Sequence, residues 1–294
     1  MSKHLLSALI AFGLVILIVV SCVAYCFDAF DDVFAWFGIS NKSPYSYVEF
    51  LDVGQGDATL VHSNDNYILI DTGCNLDDGI GIVEQLRERN VKKLECIIIS
   101  HDDDDHAGGL YNILENFQVG AIVCSEYSFL DEKATVYNAV RLAEVKKVEI
   151  VNAKAGDRLF FGDAEFNFIW IDKKSDSNND RSLVVRLNMG GYVFLFSGDI
   201  SQAVEERMLA YGIDVSCDVL KVAHHGSKNS SSDKFLDAAK PKYCVVSCDD
   251  DNSYGFPSEQ FLSRAHQRNI KVYVTYRDGS IVFNTTENTV LAKK

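Results

Sequence analysis

No two cysteines of this 294-residue chain stand in a C-x-x-C spacing, although it has eight of them. Six lie beyond residue 27, as Cys74, Cys96, Cys124, Cys217, Cys244 and Cys248. Cys96 and Cys124 fall inside apolar runs, where a free thiol behaves as a small hydrophobe, so a disulfide framework is not indicated. Positive charge is also short: 28 Lys and Arg stand against 42 Asp and Glu, a net of −14. That balance argues against holding nucleic acid through a generally basic surface, since such affinity comes from neutralising phosphates. It leaves room for a local basic groove and for bound cations that offset acidity. Past residue 44 there is no low-complexity segment and no second linker, which points to one domain over about 45–290. A second long apolar run is missing as well, so the chain cannot build a membrane channel by itself.

The one such run is Leu5 to Phe27, interrupted by Ser7, Gly13 and Ser21 and the mildly polar Cys22, Tyr25 and Cys26. At about 1.5 Å per residue it reaches roughly 34 Å as a helix, enough to cross a bilayer. Lys3 precedes it and Asp28, Asp31 and Asp32 follow, so the basic end is expected in the cytoplasm and the body outside it. A cleaved signal peptide is the alternative, and Val19-Val20-Ser21-Cys22 also has the look of a lipoprotein processing site. The expected organisation is an anchor over 1–27, a connector over 28–44 and the body from 45 to 290.

Within the body, short β-branched runs alternate with helical periodicity. Tyr47 to Leu51, Ala58 to His62 and Tyr67 to Ile70 read as strands separated by Gly54-Gln55-Gly56 and Asn64-Asp65-Asn66 turns. A helix is expected near 78–90. Further strands are expected at 121–123, 148–151, 157–161, 164–171, 182–187, 192–196, 218–223, 243–247, 271–275 and 280–284, with helices near 201–211, 231–239 and 258–267. Many strands with interspersed helices suggest two packed sheets with helices outside.

The densest chemistry is His101-Asp102-Asp103-Asp104-Asp105-His106, which follows the apolar run Leu94 to Ile99 and precedes Gly108-Gly109. Four consecutive carboxylates repel one another without a cation, and a loop needing only solubility has no use for a histidine at each end. An EF-hand is excluded, because its sixth and twelfth positions would be Ala107 and Ile113 instead of Gly and Glu. Residues 101, 103 and 105 are expected to alternate toward one side, with His106 opening the next helix.

Three more apolar strands end in the same way: Leu69-Ile70-Asp71-Thr72-Gly73, Phe196-Ser197-Gly198-Asp199, and Leu220-Lys221-Val222-Ala223-His224-His225-Gly226-Ser227. Singly, each is a common turn; together they suggest convergence at one sheet edge. These motifs, with Phe50 to Asp57 and Asn179-x-x-Ser182-Leu183-Val184, resemble the metallo-β-lactamase-fold hydrolases, and among them the ComEC-type hydrolase domains of DNA-uptake competence proteins. The resemblance covers about 45–284. It implies an α/β (α+β) αββα sandwich, here preceded by one transmembrane helix, with two divalent metal ions along one edge. Asp103 stands where the wider superfamily has a second histidine, and the third-motif histidine is replaced around Asn179. The oxygen-rich set makes manganese a competitor to zinc.

The roles implied are metal ligation by His101, Asp103, Asp105, His106, Asp199 and one of the paired histidines, with Asp199 bridging. His101, Asp103 and Asp199 would serve one ion, and Asp105, His106 and Asp199 the other. His224 is the favoured ligand, leaving His225 to act on substrate with Asp105 and Lys228. Asp71 and Asn179 would support the ligands from behind. In Tyr254-Gly255-Phe256-Pro257, Phe256 stands where the family has histidine, which implies reduced or redirected activity. The function expected is a membrane-anchored, extracytoplasmic phosphodiesterase acting on nucleic acid. The alternatives are an enzyme on a small phosphoester, such as a phosphocholine ester, or a scaffold keeping the fold; no protein partner is indicated.

Overall fold

The computed structural model describes residues 45–74, 80–128 and 136–293, and the expected anchor at 5–27 lies outside them. Among the described residues no helix is long and apolar enough to cross a membrane. In chain order the first half is β1 (Tyr47–Phe50), β2 (Thr59–Ser63), β3 (Asn66–Ile70), α1 (Ile80–Glu88), β4 (Lys93–Ile98), α2 (Asp104–Ala107), α3 (Leu110–Asn116), β5 (Gln118–Ser125), α4 (Tyr137–Lys146) and β6 (Glu149–Ala153). The second half begins with β7 (Arg158–Phe161), β8 (Ala164–Trp170), β9 (Val184–Met189) and β10 (Tyr192–Phe196). It continues through α5 (Gln202–Ala210), β11 (Val219–Lys221), α6 (Asp233–Ala239), β12 (Tyr243–Val246), α7 (Glu259–Gln267) and β13 (Lys271–Val274). It closes with α8 (Thr275–Asp278), β14 (Ser280–Asn284) and β15 (Thr289–Lys293).

The described strands form an eight-stranded sheet, ordered β15-β14-β1-β2-β3-β4-β5-β6, and a seven-stranded sheet, ordered β13-β12-β11-β10-β9-β8-β7. Strand periodicity explains the layering, because successive side chains take opposite faces. Ile68 and Ile70 of β3, Cys96 and Ile98 of β4, and Phe194 and Phe196 of β10 fill one core between the sheets. Leu69 and Ile97 face the other way, onto Leu86, Ile113, Leu114 and Ala143 of the helices covering the first sheet. Leu195 and Leu220 likewise meet Val204, Met208, Phe235, Leu236 and Phe261 outside the second. Burying a side chain such as Ile98 contributes about 1.5–3 kcal/mol, and both faces of the central strands collect it.

Three elements depart from the sequence pattern. Helix α4 carries only two buried residues, Ala139 and Ala143, too small to signal an apolar face. Strand β15 is mostly exposed and pairs with β14 through Lys293, past the expected end at 290. The strand expected over 271–275 stops at Val274, where Thr275 opens α8.

The ladder registers determine where the chemistry collects. Ile70 of β3 pairs with Thr59 of the antiparallel β2 and with Ile98 of the parallel β4, so residues before β2 and after β3 and β4 share one edge. In the facing sheet Phe196 of β10 pairs with Lys221 of the parallel β11, bringing their following loops to the same edge.

Candidate metal centre

Along that edge, His101 and His106 come from the loop and short helix after β4, Asp199 from the turn after β10, and His225 from the turn after β11. All four are nearly sealed from water. The expected alternation of 101, 103 and 105 gives way at Asp104, because α2 begins there: the Asp103 carbonyl accepts from the N–H of His106 at 3.0 Å and of Ala107 at 2.9 Å. Asp105 and His106 are therefore consecutive helical residues, and the rings of His101 and His106 pack with centroids 4.1 Å apart.

His106 is held from behind by Asp71, whose Oδ2 lies 3.0 Å from Nδ1. Asp71 in turn accepts from the Ser100 N–H at 2.7 Å and hydroxyl at 2.8 Å. Its backbone is left-handed, φ 57°, a conformation that costs a residue with a Cβ on the order of 1 kcal/mol and that aims the carboxylate under the imidazole. With Nδ1 occupied, Nε2 of His106 points to Asp199 Oδ1 at 3.3 Å without completing a hydrogen bond. His101 Nε2 is also buried without a hydrogen bond, 3.5 Å from Asp103 Oδ2.

His224 and His225 both adopt left-handed backbone, φ 50° and 51°, which sends their rings apart. The two differ in placement, and the one set furthest inside is not the favoured His224. His225 is the inner one: its Nδ1 lies 2.8 Å from the Ser247 carbonyl, its Nε2 is 3.1 Å from Asp105 Oδ2 and 3.7 Å from Asp199 Oδ2. His224 is about one-third exposed, 3.9 Å from Asp199 Oδ2, and belongs to none of the potential ligand groups. Those groups are His101, His106 and Asp199; Asp105, His106 and His225; and Asp57, Asp71 and His106. His106 thus lies between His101 and His225 and not on Asp105's side alone, and Asp103 stands half-exposed at the rim.

Asn179 contributes through its backbone carbonyl, which accepts from the Ser182 hydroxyl at 2.6 Å; that hydroxyl also accepts from the Asp199 N–H at 3.1 Å. The neighbouring Asn178 is the one whose amide reaches a candidate ligand, Asp103 Oδ1, at 2.6 Å. Lys228 is exposed, on a cavity of about 540 Å³ that it shares with His224, Ser227, Tyr254 and Phe256.

Asp57 and Lys221 belong to the site although no role was expected of them. Lys221 Nζ lies 2.8 Å from Asp57 Oδ2, and Asp57 Oδ1, 3.4 Å from His225 Nδ1, has no hydrogen-bond partner. The signal for Asp57 is its position just before an apolar strand antiparallel to β3, equivalent at the sheet edge to a residue just after one. Lys221 is the one charged residue in the run 219–223. Gly56 lets the Gly-Gln-Gly turn press onto α2: a Cβ there would come within 2.4 Å of the Asp105 carbonyl.

The electrostatics follow from this crowding. Burial opposes charge on Asp199, but the imidazoles of His106, His225 and His101 overcome it and hold the carboxyl well below its usual range. Burial likewise opposes the lowering at Asp57, where Lys221 and His225 prevail. For the imidazoles burial disfavours the cation, yet Asp199 and Asp71 push His106 well up, and Asp199 and Asp57 push His225 up to about 10. Asp105 is lowered against burial by His225. A cluster that so strongly favours cations, with the buried nitrogens His101 Nε2 and His106 Nε2 lacking hydrogen bonds and with imidazole and carboxylate donors together, fits divalent metal.

Residues 51–249 match the model of the metallo-beta-lactamase superfamily. The chain is 28% identical over 254 residues to ComE operon protein 3 of Bacillus subtilis, covering 80% of this chain and 32% of that protein. It is 30% identical over 245 residues to competence protein ComA of Neisseria gonorrhoeae, covering 83% and 33%. It is also 30% identical over 248 residues to recombination protein 2 of Haemophilus influenzae, covering 83% and 29%. The chain thus spans about a third of the length of these relatives. Among solved structures it superposes on the metallo-beta-lactamase fold protein YhfI from Bacillus subtilis with a TM-score of 0.53 at 12% identity, over 78% of this chain and 96% of that one.

Proposed function

Because the chain belongs to the metallo-β-lactamase superfamily, we propose that its edge cluster hydrolyses phosphodiesters, with nucleic acid as substrate. The observation that carries this reading is a buried pair of unpartnered imidazole nitrogens connected, through the rings of His225 and Phe256, to a cavity that Lys228 lines. His101, His106 and Asp199 would hold one ion and Asp105 with His225 a second, Asp199 lying between them and Asp103 adding to the His101 side. When bound, such ions supply Lewis acidity, making water a nucleophile at neutral pH and neutralising charge at a phosphoryl oxygen.

The chain's own groups do the rest. Asp71 favours a proton on Nδ1 of His106, and the Ser247 carbonyl does the same for His225, which would leave both Nε2 lone pairs free to hold an ion. Phe256 lies over His225, ring centroids 6.2 Å apart, and keeps water from that face. His224, which faces the cavity, is the group positioned to exchange a proton with substrate, and Lys228 and Ser227 are positioned to receive a phosphate. Resemblance to the ComEC-type domains supports nucleic acid. The net charge of −14 and the aromatic wall favour a second reading, a small phosphoester such as a phosphocholine ester. Residues 5–27 would tether the domain on the outer side of the membrane, a reading that rests on the apolar run and its flanking charges.

The full chain in detergent, stripped by chelator and reloaded with Zn²⁺ or Mn²⁺, is tested on single-stranded and duplex oligonucleotides and on bis-p-nitrophenyl phosphate. Cleavage of an oligonucleotide, falling roughly 100-fold or more in Asp199→Asn, is expected. Hydrolysis of the small ester alone overturns the nucleic-acid assignment, and silence with both metals leaves a binding or scaffold protein.

A further inference from the structure

Tyr254 is one of the most exposed aromatic residues described, at 69%. A single exposed ring is ordinary on a protein surface. This one is the outer member of a column: it stacks on Phe256 with centroids 5.4 Å apart and 15° between planes, and Phe256 stacks on His225 at 6.2 Å and 26°. The inner end of the column is therefore a candidate metal ligand, and the outer end is open on the cavity wall.

The turn carrying the column is braced. Asn252 accepts from the Phe256 N–H at 2.9 Å through Oδ1, and its Nδ2 donates to the carbonyls of Asp249 at 2.6 Å and Phe256 at 2.9 Å. Pro257 packs against Gly226, where a Cβ would meet it at 2.8 Å, and the Ser258 N–H donates to the Gly226 carbonyl at 2.9 Å. The aromatic turn and the His224-His225-Gly226 turn are thus fastened together. Lys228, Ser227 and Glu259 line the same cavity.

A flat, pre-positioned π-face on a cavity that Lys228 and Ser227 also line matches the two parts of a nucleotide, and stacking on an aromatic ring requires a base not already paired within a duplex. We infer that Tyr254 is a stacking platform for an unpaired base flanking the phosphate to be cleaved, with Phe256 transmitting its position to the His225 side of the site. This deepens the phosphodiesterase reading and rests on it.

The test measures binding to the full chain in chelator, so that the strand survives, at fixed ionic strength. The probes are octathymidylate and the same backbone with abasic residues. Tyr254→Ala is expected to bind octathymidylate about 10- to 100-fold more weakly, so that the preference for bases over the abasic strand collapses. Tyr254→Phe, which keeps the ring, is expected to retain that preference. Tyr254→Trp supplies a second readout, with its added indole emission quenched by octathymidylate and not by the abasic strand. An unchanged preference in Tyr254→Ala, or quenching by phosphocholine and none by octathymidylate, overturns the inference. Quenching in a protein that cleaves no nucleic acid supports the platform while sinking the nuclease reading. Cleavage by the Tyr254→Trp variant with its added emission unquenched sinks the platform alone.

Discussion

Lys221 holds its ammonium 2.8 Å from the carboxylate of Asp57, and both side chains are nearly excluded from water. Lys221 lies in β11 of one sheet and Asp57 just before β2 of the other, so this ion pair crosses between the sheets, with Asp57 Oδ1 3.4 Å from His225 Nδ1. Removing one partner strands the other's charge. Lys221→Met is expected to cost about 3–5 kcal/mol of folding stability, whereas Lys221→Met with Asp57→Leu costs less than the two single changes added together. Urea unfolding of the four proteins gives the coupling, and simple additivity would refute it.

The two neighbouring histidines should separate cleanly. Zn²⁺ or Mn²⁺ added to chelated protein is expected to raise the melting temperature, because binding to the folded state alone stabilises it. His225→Ala should lose most of that rise, and His224→Ala should keep it. Equal loss in the two variants would argue against the inner position of His225 as a ligand.

Asp71→Asn keeps the shape beneath His106 and removes the charge that favours a proton on Nδ1. Metal affinity is expected to fall about 10- to 100-fold, as is usual when a carboxylate behind a ligand imidazole is changed. Competition with a chromogenic chelator measures it, and an affinity within about twofold of wild type would show that Asp71 does not orient the ring.

Glu205, wholly buried in α5, accepts from the backbone N–H groups of Ser231 and Ser232. Burial pushes its carboxyl above the ordinary glutamate value, outweighing the lowering by those donors. A raised folded pKa binds its proton more tightly than the unfolded chain does. Its stabilising contribution is therefore complete below the unfolded value of about 4.5 and is lost as pH rises through the folded value. Measured by urea midpoints, the advantage of wild type over Glu205→Gln should be greatest at acid pH and shrink as pH rises; an advantage that grows with pH contradicts the assignment.

The gathering of His101, Asp105, His106, Asp71 and Asp199 at one edge was legible in the sequence because each follows an apolar strand, and parallel or register-matched strands deliver such residues to the same place. Asp57 was harder to read, since it precedes its strand and only the antiparallel pairing of β2 with β3 brings it to the same place. The order of His224 and His225 was not legible: two successive left-handed residues follow neither the strand nor the helix period, so spacing says nothing about which ring turns inward. Asn178, whose amide reaches Asp103, was not legible for a related reason, because it sits at the head of a short 3-10 turn that keeps neither period. In the fold, α4 went unseen because alanines form its buried face, and β15 because an exposed edge strand needs no apolar alternation.

The donors to the cluster are divided between the two sheets: His101 and His106 follow a strand of the eight-stranded one, Asp199 and His225 follow strands of the seven-stranded one. Ion affinity is therefore a gauge of how closely the halves of the sandwich mate. A change far from any ligand, such as truncating Phe50 where its ring stacks on Phe196 across the seam at 5.8 Å, would let the halves drift and be read first as weaker metal retention. The same division means that the cluster is complete only when chain segments distant in sequence have docked.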